Sequence, residues 1–326
     1  MIFDVFPSQI ESLDSKQLVE LLKKLLHAEA QRSGISLRGV SVPLQITVPD
    51  GGEDARISWV GGLERTDYLP SRFCVFQAKA TDPEPAGWKK EVWTKDSQKK
   101  GDIRKLNEAV AKAITENGSY IGFTSAVLIG SKYDRRIEGI KQGIREAGAD
   151  PDKLKAIDIY DANKIADWIL QHPAIAVWLN ERQSGLALRG FQTVERLGKK
   201  ADIASIPQVE DKANRFLIGN KNIVSQLEHE APSENSLTFE KVKERIADYL
   251  ADSRKSIRII GSSGVGKTRF VYEVLRDETT TAKITLATSA IYCDFRDIGN
   301  QIFQITQSLS EAGNSALMLV DEYSCG

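Results

Sequence analysis

The feature that most constrains this 326-residue chain is the string GSSGVGKT at 261–268, preceded by the apolar segment IRII and followed by TRFVYEVL. It fills the pattern GxxxxGK[ST] at every fixed position, and a strand before it with a helix after it is the context in which that pattern works. The chemistry explains the residue types. Phosphate oxygens need several backbone N–H groups converging on one point, and Gly261, Gly264 and Gly266 permit so tight a curl. The loop then runs into a helix N-terminus, whose unpaired N–H groups favour an anion. Lys267 is expected to reach the β- and γ-phosphates of ATP, and the Thr268 hydroxyl to bind Mg2+. The alternative, a glycine-rich turn that binds nothing, leaves both the lysine and the threonine without a purpose. Further along, ALMLVDE at 316–322 is an apolar strand ending in acids. Asp321 is expected to hold the magnesium through water, and Glu322 to polarise the attacking water.

A P-loop needs a complete α/β domain around it, and 326 residues are enough for two domains of ordinary size. The sequence ends soon after the acidic pair, before the further strands and γ-phosphate sensor that such a domain uses. The chain therefore reads as the front part of a longer protein. A net charge of -1 excludes a global basic field, so any nucleic-acid contact must be local. Cys74, Cys293 and Cys325 form no CxxC pair, which argues against a zinc site or a disulfide scaffold and suits a cytoplasmic protein. The N-terminus lacks a basic segment and a long apolar run, and no stretch approaches the roughly 20 apolar residues of a membrane span.

Periodicity divides the chain into three parts. Residues 11–33 read as one amphipathic helix, with Leu18, Leu22 and Leu25 on one stripe. Extended segments follow at 40–48 and 55–60, separated by the turn PDGGED, and FCVFQAK at 73–79 alternates like a strand. Residues 81–101 read as irregular. Helices are expected at 103–116, 133–147 and 162–170, and strands at 120–123, 127–129 and 154–159. This alternation predicts an α/β domain over 1–181. Residues 182–214 read as a basic linker. A second α/β domain occupies 215–326, with a helix at 239–252, a strand at 256–260, the P-loop, a helix to about 276, and strands at 283–287, 290–294 and 316–320.

The first domain holds a second constellation. Asp54 follows a turn at the start of a strand, and Gln77 and Lys79 sit two apart on the next one, so their side chains share a face. An acid with a Q-x-K pair on neighbouring strands fits metal-dependent phosphodiester hydrolysis. Asp54 would ligate Mg2+, the Gln77 oxygen and the Ala78 carbonyl would complete the protein ligands, and Lys79 would stabilise charge developing on the phosphate or orient the attacking water. Glu29 falls on the apolar stripe of the first helix, where a carboxylate is costly unless paired or metal-bound. Glu20, nine residues earlier, faces the opposite way, so Glu29 is the better helix-borne acid. The D…QxK pattern also arises by chance, and Glu29 also reads as a residue at a frayed helix end.

Taken together, LVELLKKLLHAEAQRSGI, VPDGGEDARI and FCVFQAKA resemble the Mrr-type branch of the PD-(D/E)xK nucleases, in which D-G-G-x-D is followed by Q-x-K. Asp54 matches the second aspartate of that turn, and Gln77 and Lys79 match the Q-x-K pair. Residues 155–179 resemble the closing segment of such domains in antiviral proteins, and RFLIGNKNIVSQL at 215–227 resembles the start of STAND-type NTPases. The resemblance implies a restriction-endonuclease-like mixed sheet flanked by helices, followed by an incomplete P-loop NTPase α/β domain. It implies an endonuclease effector for double-stranded DNA, joined to an ATP-controlled switch in antiphage defence. A sensor domain absent from this chain would detect a phage protein, and homo-oligomerisation would activate cleavage. Residues 79–105 carry eight basic side chains interleaved with Trp88 and Trp93, which fits a loop tracking phosphates and equally a solvated loop whose tryptophans pack on the domain. Rival readings are a signalling ATPase with an inactive nucleic-acid-binding first domain, and a restriction enzyme with an NTPase motor.

Overall fold

A computed structural model describes residues 3–43, 53–95, 104–185, 188–197, 245–246, 248–250, 256–260, 267–276, 284–314 and 316–321. The protein is α/β, with mixed sheets flanked by helices. It divides into two compact units, Met1–Leu188 with Phe303–Ala316, and Arg189–Ile302 with Leu317–Gly326.

The first unit opens with helix α1 (Pro7–Glu11) and the long helix α2 (Ser15–Arg32). Asp14 caps α2 by accepting from the Gln17 N–H, while the Gln17 side chain accepts from the Asp14 N–H, so two otherwise unpaired donors are satisfied. The leucines at 18, 21, 22, 25 and 26 are fully buried along one side, which is where most of a helix's stability in a protein originates. Five strands follow in the spatial order β1 (Val40–Ser41), β2 (Ala55–Ser58), β3 (Phe73–Lys79), β6 (Ser119–Thr124) and β7 (Ala156–Tyr160). The first two pairings are antiparallel and the last two parallel. Between β3 and β6 the chain forms α3 (Pro85–Lys90), the hairpin β4 (Trp93–Lys95) and β5 (Arg104–Leu106), and α4 (Glu108–Thr115). Helix α5 (Ser131–Glu146) joins β6 to β7, and α6 (Ala162–Leu170) and α7 (Pro173–Ser184) close the unit.

The sheet is covered on both faces, as its parallel part requires. On one face Phe73, Val75, Tyr120 and Ile159 pack with Trp88, Val110, Ile140 and Ile144 from α3, α4 and α5. On the other, Phe76 and Tyr160 meet edge to face, and Trp168 of α6 stacks on Tyr68 with ring centres 4.9 Å apart. The stretch expected to be irregular at 81–101 thus contains α3 and β4. Val127–Ile129, expected as a strand, has no strand pairing. Trp88 is fully buried in the core and Arg104 lies over the ring of half-buried Trp93, so the described part of this segment packs its tryptophans on the domain.

In the second unit β8 (Phe191–Thr193) pairs antiparallel with β9 (Ala290–Asp294), which pairs parallel with β10 (Leu317–Asp321). Helix α8 (Lys267–Arg276) and α9 (Ile284–Ser289) pack Leu275 and Leu286 with Val194, Ala290, Leu317 and Leu319. The expected linker therefore carries structure at its start: α7 runs to Ser184, and β8 is a buried strand of this sheet. Residues 198–214 lie outside the described part. Two further expectations differ. Of the strand expected at 283–287, residues 284–287 belong to α9, which occupies 284–289; a short apolar run cannot by itself separate helix from strand. Ser256–Ile260, expected as a strand, has no strand pairing, and Ile260 is exposed. Two short helices, α10 (Phe295–Ile298) and α11 (Gln301–Glu311), lie between β9 and β10 in sequence. Of the helix expected at 239–252, residues 245–246 and 248–250 are described and helical.

Candidate functional site

The first site forms where β2 enters the sheet beside the end of β3. Register pairs Ala55 with Phe76, so Asp54, one residue earlier, stands across from Gln77, and its N–H donates to the Phe76 carbonyl at 2.9 Å. The Asp54 carboxylate oxygen Oδ2 accepts two hydrogen bonds. One comes from Gln77 Nε2 at 2.6 Å and one from the Ala78 N–H at 2.7 Å. It is thus the N–H of Ala78, not its carbonyl, that meets the acid. Lys79 points to the same side as Gln77 by the two-residue period of the strand. Its Nζ pairs with Glu91 Oε2 at 2.8 Å, both side chains being half-buried. The structure therefore joins Asp54 directly to Gln77, and sets Lys79 beside them against an acid that the sequence did not single out.

The donor set contains an orphaned oxygen that bears on magnesium. Gln77 is 5% exposed, and among the described residues its Oε1 has no hydrogen-bond partner, although a buried amide oxygen without one is costly. A carboxylate and an amide oxygen are hard donors of the kind Mg2+ takes, its remaining positions being filled by water and phosphate. Among the described residues, no group of three or more His, Cys, Asp or Glu side chains is placed to hold a metal ion. Hard oxygen donors of this kind suit magnesium better than a soft transition metal.

Glu29 belongs to a different cluster. It is buried, its Oε2 accepts from Trp168 Nε1 at 3.4 Å, and His172 Nε2 stands 3.6 Å away. Burial alone would raise its carboxyl, but the neighbouring His172 and Thr66 side chains and the charge of Arg32 outweigh that and hold it below the usual value. Trp168 meets Tyr160 edge to face, and Tyr160 meets Phe76. Phe76 projects from β3 on the face opposite Gln77, so Glu29 serves the far side of the sheet. Glu20 pairs with Arg182 at 2.7 Å.

Sequence reasoning passed over Tyr120 as well as Glu91. Tyr120 is fully buried on β6 beside Val75, and among the described residues its hydroxyl has no hydrogen-bond partner. Burial raises its pKa well above the ordinary value, with the charges of Glu91 and Asp54 adding to the effect. The one available signal for Glu91 was Glu84-Pro85, since proline at the first helical position marks a helix start, here that of α3.

In the second unit the Thr268 hydroxyl donates to Asp321 Oδ2 at 2.7 Å, and the Tyr292 hydroxyl donates to the same oxygen at 3.2 Å. Burial raises the Tyr292 pKa, and the neighbouring Asp321 carboxylate raises it further. Lys267 opens α8. Gly261, Gly264, Gly266 and Glu322 lie outside the described residues. The hydroxyl and carboxylate expected to share a magnesium thus touch, and both are oxygen donors of the right hardness. Helix α8 begins one residue earlier, so its N-terminal N–H groups lie beside that pair.

Compared with known proteins, the chain matches no family model, no curated protein and no solved structure. No helix among the described residues is long and apolar enough to cross a membrane.

Proposed function

We propose that the first unit is a magnesium-dependent DNA endonuclease, and that the second is an ATP-binding module controlling it. The observation that carries the nuclease reading is the meeting of Asp54 with Gln77, with Lys79 on the same face and a buried Gln77 oxygen lacking a partner. Asp54 and Gln77 would hold the ion, which would polarise a phosphodiester and lower the pKa of a bound water. The two hydrogen bonds on Oδ2 fix the Asp54 carboxylate, so it need not reorganise when the ion binds. Lys79 would place its ammonium where charge develops on the phosphate.

The Thr268–Asp321 contact supports the nucleotide reading, since these side chains would hold the magnesium of ATP. On the resemblance described above, the whole would act in antiphage defence, with oligomerisation gathering several cleavage sites on one duplex and raising their effective concentration. That step rests on analogy of family, not on a site.

Plasmid nicking with magnesium tests the first claim. Wild type should nick, and Lys79→Ala and Asp54→Ala should each lose at least about a hundred-fold in rate, the scale of one preorganised electrostatic contact. Equal behaviour of all three removes the nuclease. For the second, Lys267→Ala should abolish ATP binding. One observation favours a second reading, an inactive nucleic-acid-binding domain on a signalling ATPase: Gln77 stands where an acid would add a metal-binding charge, and no three-acid cluster is found among the described residues. Retained DNA binding without magnesium-dependent cleavage would select it.

A further inference from the structure

Helix α3 has six residues, yet its end is fixed from two directions. Against α5 there is room only for hydrogen: a Cβ at Gly139 would lie 2.5 Å from the Pro85 carbonyl oxygen, and one at Gly143 would lie 2.5 Å from that of Lys89. On the other side the Asn107 side-chain amide donates to the Glu91 carbonyl, and the Asn107 N–H donates to the Val92 carbonyl. These contacts leave the Glu91 backbone little freedom. They deliver its carboxylate to Lys79, two residues along the strand from Gln77.

Charge says what that carboxylate is for. A divalent cation held by Asp54 and the neutral Gln77 amide keeps one uncompensated positive charge, and Lys79 adds another beside it. Such a site binds a hard cation weakly, because affinity rises with the number of charged oxygen ligands. Two neighbouring side chains are also unsatisfied and nine-tenths or more buried, Gln77 at Oε1 and Tyr120 at its hydroxyl. Asp54 meets Gln77 and Glu91 meets Lys79, and Gln77 and Lys79 share the α3–α5 face of the sheet, so both acids attach to that face.

We propose that Glu91 is the second carboxylate of the divalent-ion site, and that its ion pair with Lys79 is the ion-free form of that arrangement. This rests on the nuclease reading above. With Asp54 and Glu91 together the charge of the cation is balanced. The ammonium that Glu91 gives up becomes available to the phosphate, so ion binding and the arming of Lys79 are one event.

The test is Mn2+ binding to the full chain without nucleotide or DNA, followed by the loss of free-ion signal in electron paramagnetic resonance. Asp54→Asn defines the fraction that belongs to this site. Glu91→Gln should weaken that fraction about ten-fold or more. Lys79→Met should tighten it several-fold, because it removes the ammonium that competes for Glu91. Unchanged affinity in Glu91→Gln overturns the assignment and leaves the nuclease reading standing. Wild type without any Asp54-dependent binding overturns both. Should Glu91→Gln fail to fold, Lys79→Met decides alone: affinity unchanged or lowered refutes the proposal.

Discussion

Gly143 lies where α3 crosses α5, and the space a side chain needs there is taken. A Cβ at this position would stand 2.5 Å from the Lys89 carbonyl oxygen and 2.6 Å from Val92 Cγ2, whereas ordinary contact begins at 3.4 Å. A carbonyl oxygen inside a helix cannot rotate aside, so α3 must retreat by about 0.9 Å to accept a methyl group. Overpacking of this kind costs about 1–3 kcal/mol, and a contact under 3.0 Å with backbone belongs in the upper part of that range, about 2–3 kcal/mol. Against it stands a gain of about 1 kcal/mol from replacing glycine by alanine within a helix. The overpacking wins, and Gly143→Ala should lose about 1–2 kcal/mol net. For a unit of this size that lowers the melting temperature by about 2–8 °C, measured by circular dichroism on the full chain. A variant that melts higher than wild type would show the helix-propensity gain acting alone, and would refute the tight contact between α3 and α5.

Two further outcomes follow from polar groups in partly or fully buried positions. His27 is pushed down to about 4 by burial and by the charges of Lys23 and Lys24. The unfolded chain therefore binds more protons between pH 6.5 and about 4, and stability falls as pH falls through that window, by up to about 1.4 kcal/mol per unit. The depressed Glu29 carboxyl adds stability that is present above its unfolded value of 4.5 and lost as pH drops below it. Urea midpoints should accordingly decline from pH 7 to pH 4, with His27→Gln flattening the upper part and Glu29→Gln the lower; parallel curves for all three proteins would show that neither group is responsible. Tyr120→Phe removes a hydroxyl that has no partner, and should stabilise the fold by up to about 1–2 kcal/mol in urea unfolding. A loss of that size would mean that the hydroxyl is satisfied.

Much of the first unit was legible because its signals are local. The leucine stripe of α2 and the alternation of β3 each depend on residues within one or two turns of one another, whereas residues 49–52 of the expected PDGGED turn lie outside the described residues. Helix α3 escaped because six residues between Pro83 and a lysine-rich stretch carry no measurable period, and its stability comes from contact with α5. Helix α9 escaped for the opposite reason: KITLA has a strand-like alternation, and only the packing of Leu286 with Leu275 and Val194 settles it as helix. Glu84-Pro85 marks only a helix start, and nothing in the sequence ties Glu91 or Tyr120 to Gln77. Their significance exists only once the crossover from β3 to β6 has brought a helix end and a neighbouring strand over Gln77.

Parity decides which acid belongs to the site. Side chains alternate along a strand, so Gln77 and Lys79 share one face and Phe76 takes the other. Helix α2 packs on the Phe76 face, which is why Glu29, correctly read as an acid on a buried stripe, ends among Trp168 and His172 instead of beside Gln77. Asp54 reaches the Gln77 face only if β2 keeps its register, since a slip of one residue would exchange every side chain between faces. Ala55 and Ile57 prevent the slip. Both are fully buried and alternate with half-buried Arg56 and Ser58, so moving β2 by one position would bury an arginine and expose an isoleucine. The four-residue alternation after Asp54, which carries no chemistry itself, is therefore what aims the carboxylate at Gln77.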